Sequence, residues 1–370
     1  MCQRKKVVKF PCRGPYNCSG DWMRRRLNAL FIFIFCASCA ALLFVFPHHA
    51  TTGVLHGLTL AAGLFIPAML PMYFLVFFIA ETRAEAVFRK ISAPLCRFFR
   101  VGDSASVVLV SGFLGGYPSG AIVAKKQVER GVLSREEAGR LMYFCINPGP
   151  VFVVGAVGGT LLGSVKAGFL LLFAGWAASA VLSLFCRAKG TAAERRIEQR
   201  AYHSPTAAFC GAVSSAAGAA LTASAAIALS CAAVSVLSWV FGGGEMMLSA
   251  LFEVTGGISA LSKTGSLPLC AAVLGFGGFS VMIQIASFSA GFFGAKKLFL
   301  FRILHALLSA GFAAAFTALT DIELTQSAAE TFAAVRENQV PAALLLVLCG
   351  FVLSLANLLQ NRKDNSGGSG

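Results

Sequence analysis

Residues 104–162 read SASVVLVSGFLGGYPSGAIVAKKQVERGVLSREEAGRLMYFCINPGPVFVVGAVGGTLL, and two interruptions in this stretch decide the fold. Gly115-Gly116-Tyr117-Pro118 breaks the first apolar segment, and Asn147-Pro148-Gly149-Pro150 breaks the second. Glycine and proline cannot continue the helical ladder there, so each segment is predicted to become two half-helices meeting at an unwound tip. In hydrocarbon, unwound backbone is tolerated only where protein buries it or where it lines a cavity. A helix broken at membrane depth therefore points to a binding site. Free N–H groups at half-helix N-termini favour an anion there.

Working outward, composition places the whole chain in a bilayer: 57% of residues are hydrophobic, 13% are charged, 33 are Phe and the mean hydropathy is +0.75. Soluble domains carry roughly 25% charged residues, so a polytopic membrane protein is predicted. The net charge of +15 sits in short Lys/Arg clusters between apolar segments, as in cytoplasmic loops and unlike a nucleic-acid surface. Most of the 12 cysteines lie within spans (Cys36, Cys39, Cys145, Cys231, Cys270, Cys349), where they pack as small apolar groups. Cys12 and Cys18 lack two further ligands nearby, so neither zinc nor any other metal is expected.

Residues 1–26 hold Arg4, Lys5, Lys6, Lys9, Arg13, Arg24, Arg25 and Arg26 against Asp21 and read as a basic cytoplasmic leader. Residues 27–52 add an extra N-terminal span, Leu27–Phe46, with an external loop at Pro47-His48-His49. The run is too long for a signal peptide and lacks a small-residue cleavage site, so an uncleaved helix is expected. The first repeat, 53–186, opens with a span over Gly53–Ala80, kinked by Pro67 and Pro71, and a basic amphipathic stretch at 81–102 that would lie on the inner surface. A hairpin at 104–124 follows. Arg97 and Arg100 precede it and Lys125, Lys126 and Arg130 follow it, so it should enter from the cytoplasm and turn back at Gly115-Gly116. Ser134-Arg135-Glu136-Glu137 reads as a capped helix start. A broken span at 138–163 and a return span over Lys166–Cys186 lead to a cytoplasmic linker at 187–205.

The second half, 206–319, repeats this plan. A small-residue span over Phe209–Phe241 suits close helix packing in lipid. A second hairpin at 245–263 has its tip at Glu253-Val254-Thr255-Gly256-Gly257, and a second broken span at 267–291 contains Gly275-Phe276-Gly277-Gly278. Lys296, Lys297 and Arg302 mark its cytoplasmic end. Phe299–Leu319 crosses outward to an acidic external loop at 320–340. A C-terminal span at 341–360 and a tail at 361–370, partly linker-like, close the chain. The order of span, hairpin, broken span and span thus occurs twice from opposite sides. The predicted class is an all-α polytopic membrane protein of about eight transmembrane helices plus two re-entrant hairpins, in inverted-topology repeats with discontinuous helices.

Four motifs also carry a family resemblance: GFLGGYPSG from Gly112, NPGPVFVVGAVG from Asn147, EVTGG from Glu253 and LGFGGFSV from Leu274. Together they resemble the YlbJ (SpoVV) sporulation integral membrane proteins, of the nucleoside-recognition or gate-domain group related to concentrative nucleoside transporters. The likeness spans roughly residues 50–320. It implies a protein of the mother-cell-derived outer forespore membrane that moves dipicolinic acid from mother cell toward forespore. The chain departs from that pattern at Met282, where a His often stands, and at Pro148, where Ala is usual.

The residues themselves agree on the sign of the substrate. Second half-helices starting near Ser119, Val151, Ile258 and Ser280 would aim four N-termini at one midplane volume, each contributing about 0.3–2 kcal/mol toward an anion. No Lys or Arg is expected at that depth, so backbone would carry most of the binding. Substrate contacts are assigned to Gly115, Gly116, Tyr117, Ser119, Asn147, Gly149, Val151, Thr255, Gly256, Gly257, Gly277, Gly278, Phe279 and Ser280, with Tyr117 or Phe279 stacking on an aromatic ring. Ser111 offers a further hydroxyl. Glu253 is an acid well inside the apolar region, where an ionisable group is functional by default. It would bind a coupling proton or cation or hold the tip, the alternative being a surface carboxylate on a shorter hairpin. Gln284 joins it as a coupling-ion candidate, and His305 is expected to pack in its helix.

No Ser-His-Asp set, HExxH motif or phosphate loop is present, so neither an enzyme nor an ATP-driven pump is expected. The reading is a secondary transporter or facilitative exporter of a small organic anion, with no cofactor beyond Na+ or H+ as coupling ion. A sodium- or proton-coupled nucleoside or nucleobase carrier is the alternative, and a non-transporting membrane scaffold is the alternative of another class. The partners are the anionic substrate and the lipid bilayer, with homo-oligomerisation left open and no nucleic acid. Both termini are expected in the cytoplasm.

Overall fold

The computed structural model describes residues 18–186, 204–289 and 291–320, which form helices and connections with no strand among them. The linker over 187–203, the loop over 321–340, the span at 341–360, the tail at 361–370 and residues 1–17 of the leader lie outside the described residues.

The chain divides into two compact units, residues 1–48 and 49–370. In the first, α1 (Cys18–Val45) begins inside the stretch expected as leader and carries the expected first apolar run. The loop expected at Pro47-His48-His49 is instead the first turn of the next helix. Proline is favoured at a first helical position because its missing N–H would have no partner there.

Thirteen further helices follow, in pairs whose interruptions matter: α2 (Pro47–Glu81), α3 (Ala84–Phe99), α4 (Asp103–Gly115), α5 (Ser119–Glu129), α6 (Arg135–Leu141), α7 (Val151–Leu161) and α8 (Val165–Phe185) form the first half. The second half contains α9 (Pro205–Val240), α10 (Glu245–Phe252), α11 (Val254–Ser262), α12 (Leu267–Phe276), α13 (Gly278–Ser289) and α14 (Ala295–Leu319). Among the described residues, five helical stretches are long and apolar enough to cross a bilayer: α2, α8, α9, α12 with α13, and α14. The protein is a polytopic integral membrane protein. At about 1.5 Å per residue, α2 and α9 exceed the roughly 30 Å hydrocarbon core.

Local chemistry explains the irregular points. The expected kink at Pro67 takes the form of a π-helical turn at Ala61–Phe65 inside an otherwise continuous helix. Proline removes the bond to the carbonyl four residues earlier, Gly63, and widening the turn accommodates that loss. Helix α3 packs charge on one face, as expected, and α4 leaves it at 114°. Ser134 caps α6 in a reciprocal box: its hydroxyl accepts from Glu137 N at 3.1 Å while Glu137 Oε2 accepts from Ser134 N at 3.1 Å. Ser134→Ala should lower stability by about 0.5–2 kcal/mol without altering the site, read as a reduced thermal midpoint.

The neighbour relations repeat between the halves. Helix α2 packs on α9 and α8 packs on α14; α2 with α4, α2 with α7 and α5 with α13 are matched by α9 with α10, α9 with α13 and α11 with α7, whereas α8 packs on α7 but α14 packs on α12. Glycine lets the long helices touch. A Cβ on Gly53 would sit 2.6 Å from Ala232 Cα, and one on Gly57 the same distance from Ala228 Cα. At the far end of α5, Lys126 Nζ bonds Glu81 Oε1 at 3.0 Å and Ser215 Oγ at 3.1 Å, and Arg130 also bonds Glu81, tying the hairpin arm to α2 and α9.

Candidate functional site

Each of the four glycine-rich stretches interrupts a helix, and each break has its own local cause. Between α4 and α5, Gly116 has φ 73°, which only glycine adopts readily, and Tyr117-Pro118 completes the turn. Between α6 and α7 the break is longer than expected. Helix α6 ends at Leu141, and residues 142–150 turn or run unwound up to Pro150, the N-cap of α7. Between α10 and α11 the break is the single residue Glu253, in extended conformation, so Thr255, Gly256 and Gly257 lie in the first turn of α11 and not at a tip. The helix start expected near Ile258 is thus Val254. Between α12 and α13, Gly277 and Gly278 have φ 81° and 76°, and the restart expected near Ser280 comes at Gly278.

These breaks meet. A Cβ on Gly116 would lie 2.5 Å from Gly149 N, so the first two breaks touch through backbone. A Cβ on Gly278 would lie 2.9 Å from Phe252 O and 3.0 Å from Glu253 N, so the last two do the same. The Phe252 and Phe279 rings meet at 5.4 Å, and Phe279 also touches Phe276 and Phe299. Across the halves, Tyr117 lies within electrostatic range of both Arg302 and Glu253. Its backbone carbonyl accepts from Tyr73 Oη at 2.7 Å.

Arg302 is the residue that sequence reasoning misplaced. It was expected at a cytoplasmic end, yet it is 1% exposed and bonds the breaks of both halves. Its Nη1 donates to Ile146 O at 2.7 Å, its Nε to Phe276 O at 3.0 Å, and its Nη2 to Gly275 O. Gly275 and Phe276 end α12 at the middle of the stretch Leu267–Ser289, so a guanidinium stands at span mid-depth against a helix's negative end. No described carboxylate forms an ion pair with it.

The backbone contributes less than expected. In α5, Ser119 N, Ala121 N and Ile122 N are bonded to Gly116 O or Pro118 O within the turn. In α11, Gly256 N donates to Glu253 Oε2 at 2.5 Å and Gly257 N to Glu253 O. At two of the four expected helix ends the first N–H groups are thus already engaged, while Arg302 adds a positive charge that was not expected.

The polar side chains divide into spent and unspent. Ser119 Oγ donates within its own tip, to Gly116 O at 2.6 Å or Ser111 O at 2.7 Å, and Gly115 packs against it; Ser111 Oγ bonds Val107 O. Asn147 is held by Phe144 O and by the Ser179 hydroxyl at 2.9 Å; that hydroxyl also lies 3.0 Å from His305 Nε2, whose Nδ1 is 3.1 Å from Gly275 O. His305, expected merely to pack, therefore joins a buried polar chain from the second break to the fourth. Val151 is 41% exposed and turns its side chain away, and Gly257 serves close packing, since a Cβ there would lie 2.6 Å from Ala250 Cα. In contrast, Tyr117 Oη, Glu253 Oε1, Thr255 Oγ1, Ser280 Oγ and Gln284 Oε1 are buried without a hydrogen-bond partner. Glu253 is 1% exposed, which disposes of the surface-carboxylate alternative.

The sequence that folds this way has a relative among known proteins.
The chain is similar to the sporulation integral membrane protein YlbJ of Bacillus subtilis (strain 168). The two are 24% identical over 335 residues, covering 78% of this chain and 82% of that protein. This accords with the resemblance carried by the four motifs. No family model matches the chain, and no solved structure matches it.

Proposed function

We propose that the protein is a secondary transporter or facilitative exporter of a small organic anion, working by alternating access about the four helix breaks. The carrying observation is Arg302. A buried guanidinium with no described carboxylate partner leaves a positive site at mid-span, and burying an unpaired charge costs several kcal/mol, which an anionic substrate would offset. The Arg302 bonds also neutralise the negative end of α12, which no longer opposes an anion beside the N-terminus of α13. In this reading the halves are inverted-topology repeats, supported by the order of span, hairpin, broken span and span in each half and by the three helix pairings that recur between them. α4 with α5 and α10 with α11 are re-entrant hairpins from opposite leaflets, eight crossings put both termini inside, and the four breaks belong to the gate-domain group.

Similarity to a sporulation integral membrane protein supports a role in sporulation; with the motif resemblance, this makes dipicolinate the substrate of this reading, moved from mother cell toward forespore across the outer forespore membrane. Tyr117, Phe279 and Phe252 offer ring faces beside the breaks, which suits a planar aromatic dicarboxylate. The coupling ion is Na+ or H+, and no other cofactor is required.

Purified protein reconstituted in liposomes should release labelled dipicolinate at a saturable rate above that of empty vesicles. Movement of nucleosides without dipicolinate would replace this reading by a nucleoside carrier. No flux of either, with intact insertion, would favour a membrane scaffold.

A further inference from the structure

Glu253 presents a charge problem that the anion site does not solve. It is a carboxylate at 1% exposure, and no described Lys or Arg forms an ion pair with it. Arg302 directs its Nε, Nη1 and Nη2 donors to backbone carbonyls instead. Glu253 Oε2 caps α11 through Gly256 N, but Oε1 has no partner.

The elements that meet at this break carry further buried oxygens. Thr255 approaches the carboxylate without hydrogen-bond geometry, and its Oγ1 is buried and unpartnered. The first turn of α13 abuts the Glu253 backbone through Gly278 and carries Ser280, whose Oγ is 0% exposed and unpartnered. One turn on, Gln284 Oε1 is likewise buried and unpartnered, on the same face as Ser280. Helix α10 ends at Phe252, directing its negative end to the same place. At the neighbouring break, Arg302 neutralises the equivalent end of α12. Here no described cationic side chain does so.

We propose that a sodium ion binds at this break, held by Glu253 Oε1 with the oxygens of Thr255, Ser280 and Gln284. A lone proton would neutralise Glu253 but need only one acceptor, leaving the other oxygens orphaned. A hard monovalent cation satisfies a carboxylate and several neutral oxygens together. The other titratable groups facing Glu253 are Cys231 on α9 and Tyr117, and neither is cationic. The proposal rests on reading the breaks as a transport site and makes sodium its coupling ion. It also moves Thr255 and Ser280 from substrate contact to ion contact.

The test is thermal unfolding of the purified full chain, without substrate, in sodium, potassium or choline chloride at equal ionic strength. Sodium should raise the midpoint saturably. Thr255→Val and Ser280→Ala should each weaken the sodium dependence about tenfold, the loss of one good oxygen contact. In choline the same variants should be as stable as the parent or more so, because each removes an orphaned buried hydroxyl. Glu253→Gln should abolish the sodium response. Equal midpoints in sodium and choline, or a sodium response that survives all three substitutions, would overturn the proposal. So would stabilisation that follows pH alone. A sodium response with no anion flux in liposomes would retain the ion site while removing the anion reading.

Discussion

Arg302→Met should reduce dipicolinate efflux from liposomes to the level of empty vesicles and lower the thermal midpoint together. The side chain is isosteric enough to fill the space, but it withdraws the donors that Ile146 O, Gly275 O and Phe276 O accept from. Each buried carbonyl left without a donor costs about 1–3 kcal/mol, so a combined loss of about 3 kcal/mol or more is expected. Arg302→Lys separates charge from geometry. Lysine keeps the positive charge but offers a point donor in place of a planar fork, and it cannot bridge both breaks as Arg does. This variant should insert and fold but transport at least about tenfold more slowly. If Arg302→Met instead exports at the parent rate, the proposed counter-charge for the substrate is wrong.

The second large effect concerns backbone contact between breaks. Gly116→Ala meets two obstacles at once. Its φ of 73° with ψ −177° belongs to a region that is essentially glycine-only, at a cost of about 1–3 kcal/mol for any other residue. Its Cβ would lie 2.5 Å from Gly149 N and 2.6 Å from Met69 Cε. The methionine end can swing away; the Gly149 backbone can yield only if the first two breaks separate. Flux should be lost while membrane insertion, read by protease protection, is retained. Gly155→Ala is the control. Nothing lies within 4 Å of a Cβ there, and transport should continue at the parent rate. Retained flux in Gly116→Ala would mean that contact between these breaks is dispensable.

How much of this was legible without coordinates varies by residue, and the reason is physical in each case. The breaks could be read because glycine and proline act on their own backbone: Gly116, Pro150 and Gly277 interrupt helices wherever they are packed. Glu253 could be read because a charge in an apolar run is visible in one dimension. Its role as the break itself was less accessible, because the adjacent Gly256-Gly257 pair carries a stronger local signal although tertiary contact keeps it helical. The depth of Arg302 was hidden. It follows Lys296 and Lys297 closely enough to be grouped with a cytoplasmic cluster, whereas its position depends on how α14 packs on α12. One signal was available: Arg302 and His305 share a face of an otherwise apolar helix, five residues past the last lysine. Ser119 and Asn147 looked like ligand donors by residue type alone. Which hydroxyls and amides are already engaged is decided by neighbours far along the chain, 32 residues away for Ser179 and Asn147 and 126 for Ser179 and His305.

The chain from Asn147 through Ser179 and His305 to Gly275 has a bookkeeping consequence. A neutral imidazole bears one hydrogen, and a serine hydroxyl bears one. When Nδ1 holds the ring hydrogen and bonds Gly275 O, the serine hydrogen goes either to Nε2 or to Asn147 Oδ1, and the other acceptor goes without. When Nε2 holds it, serine is released to Asn147 and Gly275 O faces a lone pair. Two hydrogens thus face three acceptors, and the chain grips both halves of the molecule at once only when the Nε2 lone pair is left without a donor.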